Sequence, residues 1–188
     1  QFGQEASSAV FLARQKIAKA IGADYKEIVF TGSATEANNL ALRGVLLTAF
    51  QNQNNSAPAA GFSSPRIITS IIEHESVLET CRDLEKEGVE VIYVPVNKEG
   101  IVDIQKIKSA LNERTILISI MCANNEIGTI QPILEIANEI RDFRNKNSSL
   151  PLFHTDAVQA LQYLDCDINR LGVDLMTSYY DVNMKKRR

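Results

Sequence analysis

Four short polar segments of this 188-residue sequence carry side chains that could bind or transform a small molecule. They span residues 31–36, 73–75, 124–126 and 154–159, and each follows a run of β-branched or other apolar residues. Such runs predict buried strands. In a parallel sheet flanked by helices, ligands bind at the carboxyl ends of the strands. The four segments therefore predict one shared site.

The first segment has the composition of an anion-binding loop. Gly32 permits a tight turn, and Ser33 and Thr35 supply hydroxyl groups. The helix predicted to follow would direct its free N–H groups, and the positive end of its dipole, at a phosphate. Ser33 or Thr35 could equally act only as the N-cap of that helix. The local sequence leaves both interpretations open.

His74, Asp156 and Gln159 are candidates at the later strand ends. His74 could stack on an aromatic ligand or move a proton near neutral pH, or it could simply cap a helix. Asp156 could keep a pyridine nitrogen protonated, or serve as an ordinary N-cap. Gln159 would share a face with Asp156 if a helical turn begins there.

The asparagines and cysteines are weaker indicators of function. Asn124 and Asn125 could contact a ligand or form a turn. Cys81, Cys122 and Cys166 lie far apart, and this spacing argues against a zinc site and against a disulfide framework. Cys81 and Cys122 are predicted to be buried, whereas Cys166, in a polar stretch, is expected to be more exposed. We therefore predict no metal site and a reducing, cytoplasmic compartment.

The elements that must position these residues alternate along the chain. Apolar spacing and stop signals predict helices at 4–21, 35–50, 74–87, 103–111 and 132–145, and strands at 27–30, 66–72, 89–96, 115–121, 152–154 and 173–176. Because parallel strands need crossover connections, this order predicts an α/β fold with a mainly parallel sheet sandwiched by helices.

The overall charge and hydropathy limit the classes of ligand and partner that we expect. Lys and Arg total 20 against 23 Asp and Glu, so the net charge of -3 gives no general reason to bind nucleic acid or anionic lipid. No apolar run is long enough to predict a membrane span. We expect a small-molecule ligand, with neither nucleic acid nor membrane as a partner.

Taken together, the motifs resemble the cysteine desulfurases of the class V aminotransferase group, enzymes of the fold-type I pyridoxal-phosphate architecture. The most specific stretches are 27–42, which contains Thr-Gly-Ser-Ala-Thr-Glu-Ala-Asn-Asn, the Glu-His pair at 73–74, 119–128 and His-Thr-Asp-Ala-Val-Gln at 154–159. The resemblance extends from Gln4 to about Met176. It implies that residues 1–176 are an incomplete cofactor-binding large domain.

The resemblance also implies roles for individual residues toward pyridoxal 5'-phosphate. By position, Ala34 and Thr35 match the loop that binds the cofactor phosphate. The other matches concern the pyridine ring and the substrate: His74 stacks on the ring and acts catalytically in proton transfer, Asn125 contacts cofactor or substrate, Asp156 pairs with the ring nitrogen, and Gln159 hydrogen-bonds the phenolic oxygen.

The implied reaction converts L-cysteine to L-alanine and transfers the sulfur as a persulfide. The implied partners are L-cysteine, a sulfur-acceptor protein such as an iron-sulfur scaffold or sulfur carrier for thiolated tRNA, and a second copy of the chain in a homodimer. A selenocysteine lyase-like or cysteine sulfinate desulfinase-like relative would share the same motifs, so these alternatives stay open.

The family pattern breaks after Met176. The family continues with a serine, a histidine and the Schiff-base lysine, where this sequence has Tyr179, Asp181 and Val182. We therefore expect a chain truncated before that lysine, with residues 177–188 as an aberrant basic tail. None of the cysteines is expected to carry the persulfide. The 188-residue chain is predicted to be inactive, or simply a non-catalytic truncated fragment.

Overall fold

Five parallel strands form one sheet in the computed structural model, which describes residues 2–54, 64–147 and 149–179. In chain order the strands are β1 (Arg66–Ser70), β2 (Glu90–Val94), β3 (Thr115–Ser119), β4 (Leu152–Asp156) and β5 (Leu175–Thr177). Their spatial order is β2-β1-β3-β4-β5, so β1 and β3 lie side by side in the middle.

Six helices connect and cover these strands within the described residues. They are α1 (Phe2–Ile21), α2 (Ala34–Asn54), α3 (Glu75–Lys86), α4 (Ile104–Ala110), α5 (Ile133–Arg144) and α6 (Ile168–Leu171). A helix follows each of β1, β2, β3 and β4, as parallel pairing requires. The predicted α/β fold with a parallel sheet between helices is confirmed.

Apolar side chains pack on both faces of the sheet. Ile68, Ile118 and Phe153 belong to one core, together with Ile107 of α4 and Ile136 of α5. A second core contains Ile67 and Leu117 of the strands with Leu42 of α2 and with Val77 and Leu84 of α3. Neighbouring strand residues thus enter opposite cores, which explains why the strands read as continuous apolar runs.

The predicted strand at 27–30 is wrong. Tyr25–Glu27 forms a short 3-10 helix instead, closed by a capping box in which Glu27 Oε2 accepts from Asp24 N at 2.7 Å. Val29 and Phe30 are 67% and 46% exposed, and within the described residues they pair with no strand. A β-branched segment becomes a strand only where a neighbouring strand supplies hydrogen-bond partners.

No helix among the described residues is long and apolar enough to cross a membrane.

The short α6 was not predicted, because four residues are too few to show a helical period. Its boundaries are nevertheless local: Asp167 accepts from Asn169 N and Arg170 N, and Gly172 ends the helix at φ 70.

A buried carboxyl group joins the loop after β1 to the segment after β3. Glu73 is 5% exposed, and its Oε1 accepts hydrogen bonds from Ser70 Oγ at 2.6 Å and from Met121 N at 2.9 Å. Its Oε2 has no partner in the described part of the chain. Burial raises the pKa of Glu73 to about 8, so the group is a neutral acid over much of the physiological range.

Glu73 should therefore make the protein less stable as pH rises. Its folded pKa of about 8 lies above the ordinary 4.5, so the folded state binds more protons between these values. The free energy of unfolding should fall across that window, by a few kcal/mol at about 1.4 kcal/mol per unit. Glu73→Gln, which mimics the neutral acid, should remove this slope in urea unfolding measured at several pH values.

The exposed Glu113 offers a matched control, because Glu113→Gln makes the same chemical change without altering a buried group. The variant should keep the slope of the unchanged protein. Parallel pH profiles for Glu73→Gln and the unchanged protein would contradict the neutral, buried state of Glu73.

Candidate active site

The segments that follow β1, β3 and β4 meet at one edge of the sheet. Met121 N, beyond β3, donates to Glu73, beyond β1. Cys122 N donates at 2.8 Å to the carbonyl oxygen of Asp156, the last residue of β4. The carboxyl ends of these parallel strands are therefore joined by direct hydrogen bonds, and polar side chains of all three segments lie at this edge.

Asp156 is held by two hydrogen bonds at that edge. It is 6% exposed; its Oδ1 accepts from Val158 N at 3.0 Å, and its Oδ2 accepts from Asn38 Nδ2 at 2.8 Å. The first bond is a local contact within the turn after β4; because no helix begins there, Asp156 is not a helix N-cap. The second comes from α2, which packs on one face of the sheet, and it fixes the orientation of the carboxylate.

A continuous path of hydrogen bonds links Asp156 to His74. Asn38 Nδ2 also donates to Ser76 Oγ at 2.8 Å, and Ser76 Oγ lies 2.8 Å from His74 Nδ1. The backbone N–H of Ser76 donates to the same Nδ1 at 3.1 Å, so His74 is the N-cap of α3. The structure therefore brings His74 and Asp156 into one network through two intermediate side chains.

Asn38 and Ser76 were not predicted as site residues. Asn38 is fully buried and stands at four- and seven-residue spacing from the buried Leu42 and Val45 of α2. A polar residue in the apolar stripe of a helix is a signal that the sequence did contain. Ser76 carries no comparable signal, since a serine two residues after a histidine is unremarkable.

The amino end of α2 is capped by Ser33. Its Oγ accepts from Glu36 N at 3.1 Å, while Glu36 Oε2 accepts from Gly32 N, one residue before the cap, at 2.7 Å. The cap is therefore Ser33 rather than Thr35. In the described structure the backbone N–H groups of Ala34 and Thr35 have no hydrogen-bond partner, and Thr35 is exposed. These donors remain for an anion.

Asn125 and Gln159 lie outside the network. Asn125 is exposed in a turn that Asn124 builds by accepting from Glu126 N at 2.9 Å and Ile127 N at 3.0 Å. Asn124 is thus the turn former. Gln159 is exposed in the turn after β4. Within the described residues, neither Asn125 nor Gln159 has a side-chain hydrogen bond to the Asp156–His74 path.

The second histidine belongs to the core. His154 is fully buried between Ser119 Oγ at 2.9 Å and Thr177 Oγ1 at 3.1 Å. Burial lowers the pKa of His154 to about 4, so its ring stays neutral at physiological pH. This hydrogen-bonded ring ties β4 to the neighbouring β3 and β5 below the site.

All three cysteines are buried. Burial raises the pKa of Cys81 to about 12, and a hydrogen bond with Cys166 together with burial raises the pKa of Cys122. The expected exposure of Cys166 is wrong: it is 2% exposed, because the turn after β4 folds its segment onto the core around Phe153. No cluster of metal-ligating side chains occurs in residues 2–54, 64–147 and 149–179.

Comparison with known proteins agrees with this architecture. The family described as aminotransferase class-V matches residues 1–178. A protein named cysteine desulfurase IscS from Dictyoglomus turgidum is 47% identical over 176 residues, which are 94% of this chain and 40% of that protein. A mitosomal cysteine desulfurase from Encephalitozoon cuniculi is 42% identical over 94% of this chain and 38% of its own length.

Solved structures of similar proteins share this fold. A NifS-like protein superimposes with a TM-score of 0.80 at 37% identity, over 93% of this chain and 44% of that one. A structure described as SspA in complex with cysteine has a TM-score of 0.79 at 37% identity and covers 93% and 46%. The chain thus spans less than half the length of these relatives. Because the family match covers almost the whole chain, this protein belongs to the class V aminotransferase family, whose members depend on pyridoxal phosphate.

Proposed function

We propose that the described residues form the cofactor-binding part of a cysteine desulfurase. The observation that carries this proposal is the hydrogen-bonded path from Asp156 through Asn38 and Ser76 to His74 at the carboxyl edge of the sheet. Pyridoxal phosphate needs an anion site at one end and a carboxylate at the other. The residues at this edge offer both, so they fit the cofactor.

The amino end of α2 is the proposed phosphate site. Ala34 and Thr35 contribute two unpartnered backbone N–H groups, and Thr35 adds an exposed hydroxyl. The helix dipole favours an anion there, even though Glu36 already occupies the N–H of Gly32. Ala34 lies four residues before Asn38 and hence on the same face of α2, and the bond from Asn38 to Asp156 supports a phosphate site on the Asp156 side of this helix.

Asp156 is the proposed partner of the pyridine nitrogen. Its two hydrogen bonds orient the carboxylate and leave acceptor capacity on both oxygens. When bound, the cofactor supplies an electron sink that a protonated ring nitrogen strengthens. His74 is the proposed catalytic residue beside the ring, Gln159 the donor to its phenolic oxygen, and Asn125 a contact to cofactor or substrate.

The proposed reaction takes L-cysteine to L-alanine and passes the sulfur as a persulfide to an acceptor protein, such as an iron-sulfur scaffold or a sulfur carrier, in the cytoplasm. The names of two relatives and the cysteine complex of a third protein support this substrate. We also propose a homodimer, since α1 and α2 expose apolar side chains including Val10, Leu12, Leu40 and Leu47.

We further propose that the 188-residue chain is not active by itself. Val182 stands where the family has the lysine that holds the cofactor covalently, within a segment, 180–188, that lies outside the described residues. Residues 1–176 are the proposed cofactor domain and 177–188 a separate tail. Thr177 nevertheless packs in β5 with 3% exposure, so the ordered core extends at least one residue beyond that boundary.

Thr35→Ala should weaken binding of pyridoxal phosphate. A hydrogen bond from a hydroxyl to a charged phosphate contributes about 1.5–3 kcal/mol, which corresponds to a roughly tenfold to hundredfold higher Kd. Titration of the 188-residue chain, followed by cofactor absorbance, measures this effect. Thr48→Ala makes the same change near the other end of α2, where Thr48 Oγ1 only donates to Gly44 O, and should leave the Kd unchanged. Equal Kd values for the two variants would refute the phosphate site.

The proposed inactivity has its own test. After borohydride treatment with pyridoxal phosphate, intact-mass analysis should find no cofactor attached, and incubation with L-cysteine should release no sulfide. Covalent attachment mapped to Lys185 or Lys186 would show that the tail replaces the missing lysine. Activity toward selenocysteine or cysteine sulfinate alone would favour the alternative substrates.

A further inference from the structure

Every hydrogen bond between Asp156 and His74 has a defined direction. A carboxylate only accepts hydrogen bonds, so the Asn38 atom 2.8 Å from Asp156 Oδ2 must be the amide nitrogen. The second hydrogen of that nitrogen points at Ser76 Oγ, 2.8 Å away. Ser76 Oγ is therefore an acceptor from Asn38, and its own hydrogen is left to donate elsewhere.

The proton of the Ser76 hydroxyl points at His74. Within the described residues, the acceptor near Ser76 Oγ is His74 Nδ1 at 2.8 Å. The backbone N–H of Ser76 donates to the same nitrogen at 3.1 Å, and a backbone amide cannot reverse its direction. Two donors thus meet at Nδ1, which must carry a lone pair rather than a proton.

The consequence concerns the opposite ring nitrogen. A neutral imidazole with an unprotonated Nδ1 carries its proton on Nε2. His74 is an exposed residue, and its Nε2 has no hydrogen-bond partner in the described structure. The nitrogen available to a ligand is accordingly a donor.

We propose that Asn38 and Ser76 are positioning residues that keep neutral His74 in the Nε2–H tautomer, so that the ring donates a hydrogen bond to cofactor or substrate and does not remove a proton through Nε2. The role of Nε2 toward a ligand rests on the function proposed above. The tautomer itself does not, since it follows from contacts within the chain.

Asn38 fits this role because of how it is buried. It is fully buried, and its Oδ1 has no hydrogen-bond partner among the described residues. An unpaired buried carbonyl oxygen costs free energy, yet rotating the amide to satisfy it would bring that oxygen against the Asp156 carboxylate. The ionised Asp156 therefore locks Asn38, and Asn38 sets the direction of the Ser76 hydroxyl.

Taking up a proton would disturb the network. His74 in the Nε2–H form can gain a proton only at Nδ1, which would face the hydroxyl and the N–H of Ser76. The hydroxyl would have to rotate, and α3 would lose the capping bond to the Ser76 amide.

Long-range 1H–15N correlation spectra of the 188-residue chain, with 15N-labelled histidine and no cofactor, test the proposal. Only two histidines are present, and His74→Gln identifies the signals of His74. Above the usual titration range of histidine, His74 should show an unprotonated Nδ1 and a protonated Nε2. An Nδ1–H form that equals or exceeds the Nε2–H form would overturn the proposal.

Matched variants then separate a positioning role from a purely structural one. Ser76→Ala and Asn38→Ala should each raise the ratio of the Nδ1–H form to the Nε2–H form roughly threefold to tenfold, the equivalent of one neutral hydrogen bond. Ser76→Thr retains a hydroxyl and should restore the original ratio. His154, held by Ser119 and Thr177, serves as an internal reference that none of these variants should change.

The tautomer ratios of the variants test the roles of Ser76 and Asn38 separately. An unchanged ratio in Ser76→Ala would remove Ser76 from the role, and a change in Ser76→Ala without one in Asn38→Ala would remove Asn38. If Asn38→Ala fails to fold, the comparison of Ser76→Ala with Ser76→Thr still decides the proposal. If the 188-residue chain fails to bind pyridoxal phosphate while His74 shows the Nε2–H tautomer, only the proposed function is refuted, because the spectra are recorded without cofactor.

Discussion

The buried carboxylate of Asp156 is the constraint on which the site depends. A charge at 6% exposure is costly unless donors surround it, and here the donors come from different parts of the chain: Val158 N from the following turn and Asn38 Nδ2 from α2. The Asn38 bond is long-range, because it joins residues 118 positions apart. Satisfying one charge therefore places the amino end of α2 over the end of β4.

A second buried carboxyl group, that of Glu73, avoids the cost of a buried charge by staying protonated. Glu73 has hydrogen-bond donors at Oε1 only, and its burial near the negative Asp156 raises its pKa to about 8. Two negative charges at one edge of the sheet would repel each other. One carboxyl group is stabilised as an anion by donors, and the other stays neutral and holds the segments after β1 and β3 together.

The parallel sheet makes this concentration of polar groups possible. Each crossover returns the chain to the same starting edge, so the residues after β1, β3 and β4 all leave the sheet at the opposite edge. The cores on both faces consist of aliphatic and aromatic side chains with little conformational freedom, such as Ile68, Leu117 and Phe153. Rigid packing below the edge holds His74 and Asp156 in position, and the buried His154 adds hydrogen bonds between three strands.

Local patterns in the sequence were enough to determine the alternation of strands and helices and the strand ends that carry His74 and Asp156, because apolar period and turn residues act over a few positions. The prediction failed where the outcome depended on distant partners. Residues 27–30 have strand composition but no neighbouring strand, and Cys166 lies in a polar segment that the turn after β4 folds onto the core. The polar Asn38 in the apolar stripe of α2 was a signal in the sequence, but its partners, Ser76 and Asp156, are set by contacts across the fold. The neutral state of Glu73 likewise follows from burial, which packing creates and which no short stretch of sequence encodes.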